Sequence, residues 1–258
     1  MIELLRATWL LFRMQLTMVM RSRRMLLAIL LAAIPPVIAL IVATFAPGDV
    51  KPGEILASIS FWLNLQVIVP ILALVAGSAV VTEEIENRTI TYLFTRPIPR
   101  PALLFGRLLA TLVLVWLLLG SSAIAIALAA AQRTGELPDG LALRVFAANI
   151  VGGTVYTILF ATIGVFLRHP MIVGLGYTFA FEMAIANVPG GSQSLTIQYH
   201  LRSILVDATE TCWQSAEILN IDSFSSPGEA LGTLAVVAIV TLVVGALGIA
   251  RRQYVLTA

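Results

Sequence analysis

The sequence predicts an all-α, polytopic membrane protein. It would have six transmembrane helices, an amphipathic N-terminal helix at the membrane interface, and a short charged helix on the cytoplasmic side. Three observations predict this class. Of the 258 residues, 59% are hydrophobic and only 12% charged, against about 25% charged in soluble domains, and the mean hydropathy is +0.96. The apolar residues gather in runs of about 20, the length that crosses a bilayer as a helix. The charged residues fall almost wholly between those runs. A soluble core of this size would lack the polar surface to cover itself. Barrel strands would be about 10 residues long and alternating, whereas these runs are long and continuous.

The runs are 25–45, 58–81, 103–131, 145–167, 170–187 and 229–250. Their interiors lack Asp, Glu, Lys and Arg, apart from Arg107 near one end of the third and Glu182 late in the fifth. The fifth is short, opens on Pro170 and contains Gly174 and Gly176. The chain reads as a single transmembrane domain, 1–258. An interfacial helix covers 1–24, spans one and two 25–81, and a charged cytoplasmic segment 82–100. Spans three to five cover 103–187, an extracytoplasmic amphipathic segment 188–228, span six 229–250 and a cytoplasmic tail 251–258. The first apolar run follows five arginines and exceeds the 7 to 15 residues typical of a signal-peptide core, so it reads as a retained span. A lone cysteine, Cys212, rules out an intrachain disulfide and a cysteine-based metal cluster.

Charge sets the orientation. With both termini inside, the inner segments carry Arg6, Arg13, Arg21, Arg23, Arg24, Arg88, Arg96, Arg100, Arg107, Arg168, Arg251 and Arg252. The outer segments carry Lys51, Arg133, Arg144 and Arg202. Basic residues beside spans stay on the cytoplasmic side, so the expectation is a multi-pass protein of the inner (plasma) membrane with both termini cytoplasmic. The pI of about 9.0 then reflects this polarity and calls for no nucleic-acid partner. Residues 1–24 interleave Leu4, Leu5, Trp9, Leu10 and Leu11 with arginines. Such a helix suits the inner interface, with arginines among lipid phosphates.

The segment 82–100, TEEIENRTITYLFTRPIPR, packs three glutamates and three arginines between two apolar runs. Thr82 can cap a helix, with Glu83, Glu84 and Glu86 in its first turns. Glu84 and Arg88 are spaced to pair. Ile90, Leu93 and Phe94 form an apolar stripe, and Pro97 ends the helix. This object suits docking into a groove on a soluble partner. It equally suits packing on lipid or on its own bundle.

Residues 80–110 resemble the coupling segment of ABC-2-type transporter permeases. The resemblance rests on an acidic pair, Glu83 and Glu84, then Arg88, Thr89, Ile90 and Leu93, then Thr95, Arg96, Pro97, Ile98 and Arg100. It implies an exporter-type permease whose coupling helix contacts a separate ABC ATPase. It also implies two ATPase copies and a second permease, identical or homologous, because six spans are half of the usual transport core. Glu83, Glu84, Arg88, Thr89, Ile90, Leu93, Phe94, Arg96 and Arg100 would be ATPase-coupling residues. ATP and Mg would sit in the partner, with no cofactor or metal bound by this chain. No G-x-x-x-x-G-K-[S/T] occurs, and Lys51 is the only lysine, so no P-loop lysine exists here and the chain is not expected to be an enzyme.

The remaining polar residues divide between roles. His169 and His200 do not form a spaced metal set, and the N-terminal methionines read as packing residues rather than copper ligands. Glu182 is the one carboxylate near a span core, either a structural hydrogen-bonding group or a contact to the substrate path or a dimer partner. The segment 188–228 reads as short amphipathic helices on, or dipping into, the outer leaflet. The family places re-entrant helices there that close the path, and a small cap is the other reading. Small residues at 152–154 and 174–176 permit close helix packing. Two other functions fit the composition, namely an anchoring or assembly protein that recruits a soluble partner and an ion-driven secondary transporter. The latter calls for paired midplane charges and broken helices, of which only Glu182 is a candidate. Cargo is not encoded in any of these features.

Overall fold

The computed structural model describes residues 2–46, 50–86, 100–132, 140–167, 169–186, 191–206 and 225–251. They are helical nearly throughout, and no strand occurs among them. Helix α1 (Ile2–Met20) turns at Arg21 and Ser22 into α2 (Arg23–Phe45). The turn is tied by one hydroxyl: Ser22 Oγ donates to the Val19 carbonyl at 2.8 Å and accepts from the Met25 N–H at 3.3 Å. It thus closes α1 and caps α2.

A continuous helical segment follows in three parts: α3 (Pro52–Ser58), a wide-turned π stretch (Ile59–Ile68) and α4 (Val69–Glu86). Then come α5 (Arg100–Ala131) and α6 (Leu141–Phe166). Gly140 at the start of α6 has φ of 78°, a conformation that favours glycine. Helix α7 (Pro170–Gly176) runs through a second π stretch (Tyr177–Met183) into α8 (Ala184–Ala186). A 3₁₀ turn (Gly191–Leu195) leads to α9 (Ile197–Val206), and α10 (Pro227–Arg251) ends the described chain.

Among the described residues, five helices are long and apolar enough to cross a membrane: Arg24–Phe45, Pro52–Val80, Leu104–Ala131, Leu141–Phe166 and Pro227–Ala250. Two begin at least a helical turn earlier than the sequence suggested, at 52 rather than 58 and at 141 rather than 145. Pro52 suits a first helical turn, and Ile55, Leu56 and Leu141 are buried, so packing extends both helices outward past Glu54 and Arg144. The expected fifth span is a shorter apolar helix, Pro170–Ala186. At about 1.5 Å per residue it reaches roughly 25 Å, less than the ~30 Å hydrocarbon core. The six expected spans thus become five long helices and one short one.

Helix α6 lies at the centre, packed on α4, α5 and α10. Its small residues act as the sequence suggested: Gly152 faces Leu201 and Val69, and Gly153 faces Leu119 and Val115. At 174–176 only the first glycine does so, lying against Leu74 and Phe160, while Gly176 meets open space. A close backbone approach is at Gly77, where a Cβ would stand 2.7 Å from the Thr157 carbonyl oxygen of α6. The outermost helices are α2 and α10, whose spanning windows are 17% buried, against 67% for Pro52–Val80.

These contacts predict opposite outcomes for two similar substitutions. Gly77→Ala forces α4 from α6 and should cost about 1–3 kcal/mol, lowering the thermal midpoint of the detergent-purified protein. Gly176→Ala meets nothing and should be neutral or stabilise by up to about 1 kcal/mol. Thermal unfolding of the two variants side by side checks the packing of α4 on α6.

Candidate functional site

Two polar features interrupt the apolar bundle, one at each end. The first is the connection between α4 and α5. Glu83 and Glu84 lie near the C-terminus of α4, and Arg100 opens α5. Arg88, Thr89, Ile90, Leu93, Phe94 and Arg96 lie outside the described residues. One expectation is corrected here. Thr82 does not begin a new helix, because α4 runs unbroken from Val69 to Glu86. No Gly or Pro falls between Gly77 and Pro97, so nothing stops the helix at 82. The acids therefore lie on the continuation of α4 rather than in the first turn of a new helix.

The base of this connection is pinned from within. Arg107, 2% exposed, donates from Nη1 to the Val80 carbonyl at 3.0 Å. One turn of α5 thereby holds the end of α4. Beside it, Gly106 admits α1, with a Cβ there standing 2.7 Å from the Thr8 carbonyl oxygen. A buried arginine paired to a backbone carbonyl is how a membrane protein tolerates such a charge. The sequence flagged Arg107 as a charge inside a run without identifying its partner.

The second feature is a buried polar knot at the opposite end, where α2 ends and α6 begins. Glu182 is fully buried and accepts four hydrogen bonds. The Tyr156 hydroxyl donates to Oε2 at 3.0 Å and the Tyr177 hydroxyl to Oε1 at 2.6 Å. The backbone N–H groups of Ile197 and Gln198 donate to Oε1 at 3.2 Å and Oε2 at 3.1 Å. The carboxylate thus sits on the first turn of α9, satisfying N–H groups that a helix leaves unpaired and favoured by the dipole. Thr196 completes the cap, its Oγ1 accepting from the Tyr199 N–H at 3.2 Å.

Around this anchor α9 is inserted into the bundle, and each residue from Ile197 to Leu205 is buried. The expectation of amphipathic helices on or dipping into the outer leaflet therefore resolves, for this helix, as insertion. Its polar side chains are answered from inside. Gln198 Nε2 donates to the Leu65 carbonyl at 2.9 Å. That carbonyl needs a donor, since the Val69 N–H goes to Asn64 and Pro70, five residues on, has none. Arg202 Nη1 donates to the Ala186 carbonyl at 2.9 Å, and its guanidinium lies 4.8 Å from the Phe61 ring centre. Burial pulls the Arg202 guanidinium down to about 10, which leaves it charged at neutral pH. His200 Nε2 pairs with the Ser194 carbonyl at 3.0 Å, and burial holds its pKa below the usual imidazole value. Beneath, Asn64 Nδ2 donates to Asn149 Oδ1 at 3.1 Å and Asn149 Nδ2 to the Val145 carbonyl at 2.9 Å.

Both π stretches border this knot. Such widened turns recur where a helix departs from regular pairing, frequently at functional sites. The sequence singled out Glu182 and missed Asn64, Asn149, Tyr156, Tyr177, Gln198 and Arg202. The asparagines were visible as polar residues inside apolar runs; the tyrosines carried no such mark.

Long apolar helices, a charged connection held at its base by a buried arginine, and a buried polar knot at the far end define a multi-pass membrane protein. The chain belongs to the ABC-2 transporter family: the family model described as ABC-2 family transporter protein matches residues 15–187, more than half of the chain. It is thus an ABC transporter permease, a family whose members associate with ABC ATPase subunits. No curated protein matches the chain.

Glu182→Ala should leave two tyrosine hydroxyls and two helix N–H groups without an acceptor, each a loss of about 1–3 kcal/mol. Amide exchange in 197–206 should accelerate by at least tenfold while α6 stays protected. Glu182→Gln keeps part of the acceptor set and should fall between. Unchanged exchange in α9 for the alanine variant would show that the helix is held without this carboxylate.

Proposed function

We propose that this chain is the permease subunit of an exporter-type ABC transporter. It would pair with a second permease, identical or homologous, and work with two separate ATPase subunits that bind ATP and Mg. In this reading Pro170–Ala186 counts as a sixth, short crossing, both termini are cytoplasmic, the membrane is the inner (plasma) membrane, and α1 lies at the inner interface. The 82–100 segment contacts the ATPase through Glu83, Glu84, Arg88, Thr89, Ile90, Leu93, Phe94, Arg96 and Arg100. Helix α9, anchored by Glu182, closes the outer end of the path.

The observation that carries the reading is the family match, whose span contains the whole charged connection. The split of basic residues between the two sides supports the orientation. The Arg107–Val80 bond supports transmission, because a push on the connection meets α4 and α5 already joined.

Two experiments test it. Glu84→Arg combined with Leu93→Asp reverses one charge and removes one apolar anchor. A hot-spot residue contributes about 2 kcal/mol or more, close to thirtyfold in affinity. Co-purification with the ATPase should fall accordingly, with membrane level unchanged and ATPase stimulation lost. Wild-type complex and transport would remove the coupling assignment, and binding without any stimulation or transport would favour an anchoring role. For orientation, cysteines are placed in a Cys212→Ser background. An impermeant thiol reagent applied to intact cells should label position 139 and spare positions 88 and 252. Labelling at 88 would overturn the topology.

A further inference from the structure

A cavity of about 780 Å³ opens between the end of α1, the first half of α2, residues 71–79 of α4, the middle of α5 and the start of α7. Its size falls among small-molecule sites, about 300–1,000 Å³. Its walls are mostly apolar, as at Ala28, Leu31, Val75 and Leu114. Leu27 and Leu30 line it and are about two-thirds exposed, so it opens sideways, on the surface the bundle turns to lipid.

The polar groups of the lining are mostly engaged already. Thr111 Oγ1 donates to the Arg107 carbonyl at 3.0 Å. Ser22 Oγ donates to Val19 and accepts from Met25. Arg24 and Ser78 have partners of their own, and His169 is exposed. Gln15 differs from all of these. It lines the cavity, is 1% exposed, and its Oε1 has no hydrogen-bond partner. A buried acceptor in that state costs free energy until a donor reaches it. The terminal torsion of a glutamine is soft, so the amide oxygen can turn to a donor brought through the cavity. The cavity therefore asks for one hydrogen-bond donor and otherwise for hydrocarbon. Charge is not among its demands, since Arg24 is already met.

We infer that this cavity binds a single-chain amphiphile whose uncharged head donates a hydrogen bond, a long-chain alcohol in its simplest form, taken up sideways from the membrane. The head donates to Gln15 Oε1. The chain lies along α2 between α4 and α5 and reaches the opening at Leu27 and Leu30. A head without a donor leaves Gln15 unanswered, and a carboxylate sets oxygen lone pairs against it. The site does not depend on the coupling proposal, because binding is read on this chain alone.

The test uses hexadecanol with a photoreactive diazirine in its chain, and the methyl ether of the same probe, which keeps the chain and loses the donor. Both are applied at equal mole fraction to the full-length chain in phosphatidylcholine nanodiscs, and labelled peptides are mapped by mass spectrometry. Answering a buried acceptor is worth about fivefold or more in affinity. The alcohol should therefore label residues 25–34 and 71–79, which line the cavity, about fivefold over the ether. Gln15→Leu should bring the two probes level by lowering the alcohol alone. It should not lower the thermal midpoint, since it replaces an unsatisfied polar group by an apolar one of similar size. Ala28→Trp should reduce both probes to the level seen on α10. Equal labelling by the two probes in the wild type, or a preference that survives Gln15→Leu, would overturn the site. Labelling spread evenly over α10 as well would mean annular contact only and do the same. So would Ala28→Cys chains, in a Cys212→Ser background, that crosslink to each other in membranes, since a second copy would then fill the opening.

Discussion

The Glu182 carboxylate is the contact on which the far half of the molecule depends. In hydrocarbon every polar group must be answered by protein, and Glu182 is answered by four donors from three separate stretches: Tyr156 in α6, Tyr177 in its own segment and the first turn of α9. Each orphaned group costs about 1–3 kcal/mol, while a whole domain is stable by only about 5–15 kcal/mol. One side chain thus governs a large share of the margin. With α9 fixed by its N-terminus, Gln198 reaches the Leu65 carbonyl that Pro70 leaves without a donor. The π stretch of 59–68 and the inserted helix are therefore solutions to one problem. The wide turn frees a carbonyl, and α9 satisfies it.

The sequence carried the spans plainly, because an apolar run of bilayer length has few other uses. It carried their ends less well. The apolar runs begin at 58 and 145, yet buried residues at Leu56 and Leu141 draw the helices out to 52 and 141. At 82 the cluster of acids suggested a new helix start, while the absence of any breaker let α4 continue to Glu86. The polar knot was half legible. Glu182 stood out as a carboxylate in an apolar run, but three of its four donors lie 15 to 26 residues away in the chain, a relation no local pattern encodes. Helix α9 shows the same limit. Its sequence reads as an amphipathic helix on, or dipping into, the outer leaflet. In the fold each of Gln198, His200 and Arg202 is matched by a carbonyl from the chain around it, at Leu65, Ser194 and Ala186, so the helix can be inserted.

The two polar anchors give the bundle unequal parts. At one end Arg107 ties α4 to α5, with α1 pressed on Gly106. At the other the Glu182 knot ties α6, the 177–183 stretch and α9 together. Helix α4 also meets the α6 backbone at Gly77 with no room for a methyl group. These helices form a block with little freedom to slide, because close-packed interfaces shift between discrete arrangements rather than deform. Helix α2 is different. Only 17% of its spanning window is buried, and at the charged end its base is held chiefly by the Ser22 turn.

A force applied at the base of α4 and α5 would be distributed over the block rather than bending one helix. The least covered elements are α2 and α10, each with 17% of its spanning window buried. A displacement of α2 meets little buried area, whereas moving α4 against α6 breaks a backbone contact with no room for a methyl group. Small-residue contacts hold the interior in one arrangement, and the sparsely covered helix is left as the element whose position an outside load can alter at least cost. The buried carboxylate and the buried arginine supply the rigidity on which that division rests.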